Sequence, residues 1–257
     1  MMKTLGIDLS AQPKNTAACL LTWGDSSCCI SEFAAGLDND ALLDLIARSS
    51  PAKVAIDAPF GWPVPFVEAV SGYTASGYWP APTNTRRPLL LRTTDLAVID
   101  LVGGRPPLSV SADKIAVCAM RCAELLSALT IDGSIDRTGG GVAIEVYPAA
   151  ALRQWGFDAT GYKGTEPQRQ ETRRRLVGTI ANATAAWLLL DPDEQALLAA
   201  SDHLLDALVS ALVGRAAAVG LTLPIPPDAR VLAASEGWIH LPRREALAAF
   251  DPFGGDR

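Results

Sequence analysis

The chain lacks any apolar run approaching the ~20 residues that span a bilayer. Its opening Met1-Met-Lys-Thr-Leu-Gly-Ile-Asp8 reaches an acid too soon for a signal peptide. A cytoplasmic protein with no membrane partner is therefore expected. Positive charge is also short: 22 Lys and Arg face 28 Asp and Glu, a formal net charge of −6. That balance excludes an overall basic field able to hold nucleic acid nonspecifically. Cysteine is sparse, with five residues and so no complete pairing. Cys28 and Cys29 are adjacent and would point to opposite faces of a strand. Cys118 and Cys122 lie one helical turn apart, but no second pair completes a zinc site. Buried, reduced thiols are the expectation for these and for Cys19. Internal repeats and low-complexity linkers are absent too.

What is present is a core-forming composition, 49% hydrophobic over 257 residues, enough for one domain spanning 1–257. Residues 2–8 predict a strand ending at Asp8, 16–23 a second and 27–33 a third. Connections this short force antiparallel neighbours, a three-stranded meander. Residues 38–48 carry helical spacing behind an Asp38 or Asn39 cap, so the next strand, 53–57, runs parallel to its neighbour. Residues 58 to about 112 are rich in Pro, Gly, Trp and Tyr and carry Arg86, Arg87, Arg92 and Arg105. This stretch reads as a partly helical insertion covering a site, with Tyr73, Tyr78 and Trp79 as stacking surfaces or as packing aromatics. Helices are predicted over 113–129, 171–190, from the Asp191-Pro-Asp-Glu194 start, and over 202–219, with strands at 142–146 and 237–241.

Three predicted strand ends supply acids: Asp8, Asp57 and Glu145. On the late helix, Asp202 and Asp206 are four apart and share a face. The remainder of that helix is largely Ala, Leu and Val, so an acid in its second turn needs a partner or a metal. Asp202 also reads as a first-turn acid complementing the helix dipole, and Asp206 as one partner of an arginine salt bridge. Asp8 also reads as a turn-former, and Glu145 as the partner of Arg153 or of Arg173 to Arg175. Convergent carboxylates without the His and Cys of a zinc site favour Mg²⁺ or Mn²⁺, and with them phosphodiester hydrolysis or phosphoryl transfer. His203, beside the stripe, is a candidate proton shuttle or a structural residue.

Gly6-Ile-Asp-Leu-Ser10, Ala55-Ile-Asp-Ala-Pro-Phe-Gly-Trp-Pro63, Arg92-Thr-Thr-Asp95, Glu145-Val-Tyr-Pro148, Asp202-His-Leu-Leu-Asp-Ala-Leu208 and Glu236-Gly-Trp-Ile239 occur in that order. In this ordered set the chain resembles the DUF429 family, described as predicted nucleases with a ribonuclease H-like fold. The resemblance implies an α/β fold: a mixed five-stranded sheet of order 3-2-1-4-5 flanked by helices, with the insertion after strand four. The wider superfamily resembles Holliday-junction resolvases, whose metal-binding acids map onto Asp8, Asp57 and Asp206, with Asp202 the extra helix acid. Resolvase-like helices space their two acids by three, whereas Asp202 and Asp206 are four apart.

The expected function is a Mg²⁺- or Mn²⁺-dependent nuclease with Asp8, Asp57, Asp206, Glu145 and Asp202 as catalytic acids. Arg86, Arg87, Arg92 and Arg174 are the expected phosphate holders. So limited a basic footprint suits a short single-stranded or structured nucleic acid. One alternative is an ATP-dependent phosphotransferase of the actin-like and sugar-kinase class, although Ser10-Ala-Gln-Pro13 lacks the glycine-rich phosphate turn that class uses. The other is a non-catalytic nucleotide- or protein-binding module.

Overall fold

The structure is a computed structural model and describes residues 1–79, 86–103, 107–130 and 136–250. Its elements run β1 (Met2–Asp8), β2 (Ala17–Trp23), β3 (Cys28–Ala35), α1 (Asn39–Ser49), β4 (Lys53–Asp57), α2 (Val64–Ser76), α3 (Arg87–Leu90), α4 (Thr93–Val102) and α5 (Ala116–Ala128). They continue with β5 (Ala143–Glu145), α6 (Pro148–Gln154), α7 (Pro167–Thr184), α8 (Pro192–Ala200), α9 (Asp202–Ala218), α10 (Arg230–Glu236) and α11 (Ala246–Ala249). The sheet order is β3-β2-β1-β4-β5, antiparallel across the meander and parallel from β1 through β4 to β5. This is the mixed α/β sheet expected.

Alternation along β1 sorts its side chains to two layers. Leu5 and Ile7 join Val54, Ile56 and the α1 and α5 side chains on one face. Cys19, Leu21, Ala55 and Ile144 meet Leu208 and Leu212 of α9 on the other. Helix α9 lies directly on β1, β2 and β4, and Gly6 is what lets it approach. A Cβ there would collide with the Ala207 carbonyl and the Ala211 amide of α9, and would lie 3.0 Å from Ala211 Cα.

Several expected boundaries move. The long helix is Pro167–Thr184, not 171–190: Pro167 occupies its first turn, and beyond Thr184 the chain turns to bond Cys28 at the β3 edge, ending in the Cys28–Leu188 bridge. The last strand contracts to an isolated bridge between Glu145 and Ile239. The insertion is helical through α2 to α4, while Arg105 lies outside the described residues. Tyr73 and Trp79 are exposed and meet edge to face at 6.0 Å. Cys29 is exposed and the other four cysteines are buried. Among the described residues no single helix is long and apolar enough to cross a membrane. The pair α8 and α9 passes that test together, but is bent by 114°.

Candidate metal centre

Asp8 and Asp57 end neighbouring parallel strands as direct register partners. Their side chains therefore leave the sheet on the same side, the side that α9 covers. Asp206 stands in the second turn of α9, whose start is fixed by Ser201 accepting the Leu204 N–H at 3.2 Å. The three carboxylates each bring one oxygen to within 4.8 Å of the others. Asp206 is 1% exposed. These elements are separated by most of the chain and converge on one edge of the sheet.

Glu145 does not join them. The β4–β5 pairing sets Ile56 opposite Glu145, one residue out of step with Asp57, so its side chain leaves the opposite face. There it forms a buried pair with Arg92, Nη2 to Oε1 at 2.7 Å and Nη1 to Oε2 at 2.9 Å, while the Phe60 N–H donates to Oε2 at 3.0 Å. Arg92 also reaches Asp95 at 2.9 Å and donates to the Glu236 carbonyl at 3.1 Å. Its side chain is 3% exposed, so Arg92 is committed within the protein, where a phosphate-holding arginine was expected. Glu145 pairs with it, not with Arg153 or the α7 arginines. Glu236 in turn accepts the Val64 and Thr93 N–H groups. This buried network ties the insertion to the sheet.

The remaining expected residues scatter. Asp202 accepts the Gly164 N–H at 2.8 Å and lies outside the three-acid cluster. The position three before Asp206 is His203, on the same helix face, and its Nδ1 lies 2.6 Å from Asp8 Oδ2. Arg174 is exposed and pairs with Glu171. Neither Arg86, Arg87 nor Arg174 lines the cavity over the acids, a space of about 1050 Å³ bordered by Asp8, Asp57, Arg153, Lys163, Arg169 and His203.

Sequence reasoning missed Lys163 and Tyr162. The Lys163 ammonium sits 2.6 Å from Asp206 Oδ2, and the Tyr162 hydroxyl donates to Oδ1, also at 2.6 Å. Their loop is held by Arg173, buried and donating to the carbonyls of Tyr162 and Gly164. The weak signal was Gly161-Tyr-Lys-Gly164, two glycines with φ of 73° and 123° bracketing a basic residue.

Electrostatics follow the crowding. Removal from water raises the Asp57 carboxyl well above its ordinary range; Lys163 opposes that shift, and Asp8 and Asp206 add to it. No hydrogen-bond donor among the described residues reaches the Asp57 side chain. Desolvation likewise raises Asp206, against the pull of Lys163. His203 is raised by its bond to Asp8. The nearby Cys118 thiol is pushed up to about 12, by burial first and then by Asp57 and Asp8, which leaves it protonated and inert.

A family model described as a protein of unknown function (DUF429) matches residues 6–231. The matched span contains the whole acidic cluster; the Glu236-Gly-Trp-Ile239 segment lies beyond it. No curated protein and no solved structure matches the chain.

Proposed function

The chain belongs to the DUF429 family, and from the geometry of its sheet edge we propose that it is a metal-dependent nuclease. The observation that carries the proposal is the approach of Asp8, Asp57 and Asp206 to within 4.8 Å of one another. Three anionic oxygens at that spacing suit a hard divalent cation. Lys163 on Asp206, and His203 on Asp8 when its ring is protonated, meet the same demand for countercharge. Asp57, which no hydrogen-bond donor among the described residues reaches, leaves its oxygens open for ligation.

Asp8, Asp57 and Asp206 would hold Mg²⁺ or Mn²⁺, which supplies polarisation of a phosphoryl oxygen and a bound water of lowered pKa. The side chains around them do the remaining work. Asp8 fixes the His203 ring through Nδ1, which leaves Nε2 to carry a proton between the reacting groups and water. Tyr162 and Lys163 hold the Asp206 carboxylate in one orientation. The acids exclude long duplexes from nonspecific attachment, so a short single-stranded or structured nucleic acid remains the favoured substrate.

The test is cleavage of a labelled panel of single-stranded, duplex and structured DNA and RNA, with Mg²⁺, Mn²⁺ or chelator. Metal-dependent cleavage abolished by Asp8→Asn and by Asp206→Asn is the expected result. ATP turnover without cleavage points to a phosphotransferase, and tight nucleotide binding with neither activity points to a binding module. A Mn²⁺-soaked crystal with no ion within reach of Asp8, Asp57 and Asp206 would remove the basis of the proposal.

A further inference from the structure

The cavity beside the acids is lined by a cation two of whose nitrogens find no acceptor among the described residues. Arg153, in the last turn of α6, lines that cavity. Its Nε and Nη2 are closed off from water and meet no acceptor among the described residues. The acid expected to receive it, Glu145, is occupied on both oxygens by Arg92. Another acid on the cavity wall, Asp158, accepts the Thr160 N–H at 3.0 Å. Arg153 as a whole is only half-buried and lines the cavity, so a counter-ion entering there can meet the guanidinium and offset the cost of its unmatched nitrogens.

The surroundings specify that counter-ion. A guanidinium fork matches the paired oxygens of a phosphate. The Arg153 Cζ lies 6.0 Å from the centroid of the Tyr147 ring, and Tyr147 and Phe157 both line the cavity and remain partly exposed. Aromatic faces beside a phosphate receptor suit a base attached to that phosphate. The roughly 1050 Å³ available is of the size that encloses a small organic ligand.

We propose that Arg153, Tyr147 and Phe157 form a nucleotide subsite, with the phosphate on Arg153 and the base against the aromatic rings. The subsite deepens the nuclease reading, on which it rests: it would seat a nucleotide neighbouring the scissile phosphate and replaces Arg86, Arg87, Arg92 and Arg174 as the principal phosphate contact. It favours a single strand, whose bases are free to leave their stack.

Titration calorimetry of the full chain in chelator, with thymidine 5′-monophosphate and with thymidine, reads the subsite without catalysis. The wild type is expected to prefer the nucleotide by about tenfold or more, the scale of a charge-assisted hydrogen bond. Arg153→Gln should erase that preference while leaving nucleoside affinity in place, and Arg153→Lys should restore part of it. The nucleoside affinity of each variant, with its circular-dichroism spectrum, identifies one that has failed to fold. Equal affinity of the wild type for nucleotide and nucleoside overturns the proposal, as does an undiminished preference in Arg153→Gln. Asp8-dependent cleavage with no Arg153-dependent preference removes the subsite and leaves the nuclease; the preference without cleavage does the reverse.

Discussion

Replacing Gly6 by alanine adds a single methyl group at the point where β1 and α9 touch. That methyl would fall on the Ala207 carbonyl and the Ala211 amide, far inside contact distance. Both are backbone atoms of a helix fully buried at this point, so no side chain can swing aside. To restore ordinary separations of ~3.5 Å the helix has to retreat by roughly an ångström or more. Overpacking of this kind costs about 1–3 kcal/mol, and two rigid backbones place Gly6→Ala at the upper end. At about 3 kcal/mol a domain of this size loses roughly 6–12 °C in Tm. The same retreat carries Asp206 away from Asp8 and Asp57, so the variant should also lose Mn²⁺ affinity. Gly214→Ala, on the same helix, is the control. Its new Cβ would meet Ala55 and Thr4 at 3.4 and 3.5 Å, ordinary contacts, and it gains up to about 1 kcal/mol of helix propensity. Differential scanning calorimetry with Mn²⁺ titration reads both effects. A Gly6→Ala protein that melts with the wild type and binds Mn²⁺ equally well would refute the close-approach reasoning.

Three further outcomes are expected. Arg92→Met should destabilise by about 3–5 kcal/mol in urea unfolding, because it leaves Glu145 and Asp95 as buried charges without their cation; stability at the wild-type level would show the network to be dispensable. In metal-free protein Asp57→Asn should raise Tm at neutral pH. Its folded pKa lies above the unfolded value, so ionisation opposes folding and stability falls as pH rises through that interval. The same variant should lose the Tm increase expected of the wild type on adding Mn²⁺, and an unchanged increase would count against Asp57 as a ligand. His203 has the opposite charge type and a raised pKa, so its bond to Asp8 stabilises fully below the unfolded value of about 6.5 and fades as pH climbs through the folded one. The Tm difference between wild type and His203→Asn, measured without metal from about pH 5 to pH 9, should hold up to about pH 6.5 and shrink above it; a difference constant over the whole range would contradict the pairing.

The acids at Asp8 and Asp57 were legible because each ends a short β-forming run at a turn, and runs joined by tight or helical connections have determined directions. Asp206 was legible as an acid inside an otherwise apolar helix. The fate of Glu145 was not. It depends on the register between β4 and a three-residue β5, and nothing local distinguishes a glutamate on one face from a glutamate one step along on the other. Arg92 was misplaced for a related reason: its partner Glu145 is distant in sequence, and arginine by itself favours the surface. His203 was visible only as a neighbour of the acidic stripe. Its position three before Asp206, once α9 is laid on β1, is what brings it to Asp8. Lys163 lies in a loop without periodicity, where sequence offers a basic residue but no direction for it.

The seating of α9 on the sheet also has a temporal consequence. Asp8 and Asp57 lie in the first quarter of the chain, and Asp206 follows after more than half of it. A growing polypeptide can complete its meander and β4 early, yet it holds two of the three acids and leaves Cys19, Leu21 and Ala55 uncovered until α9 has been made. Assembly of the three-acid cluster and closure of the apolar layer are thus one late event. A ribosome-bound chain halted before α9 should be sticky and protease-sensitive, with Asp206 not yet present to complete the acidic cluster.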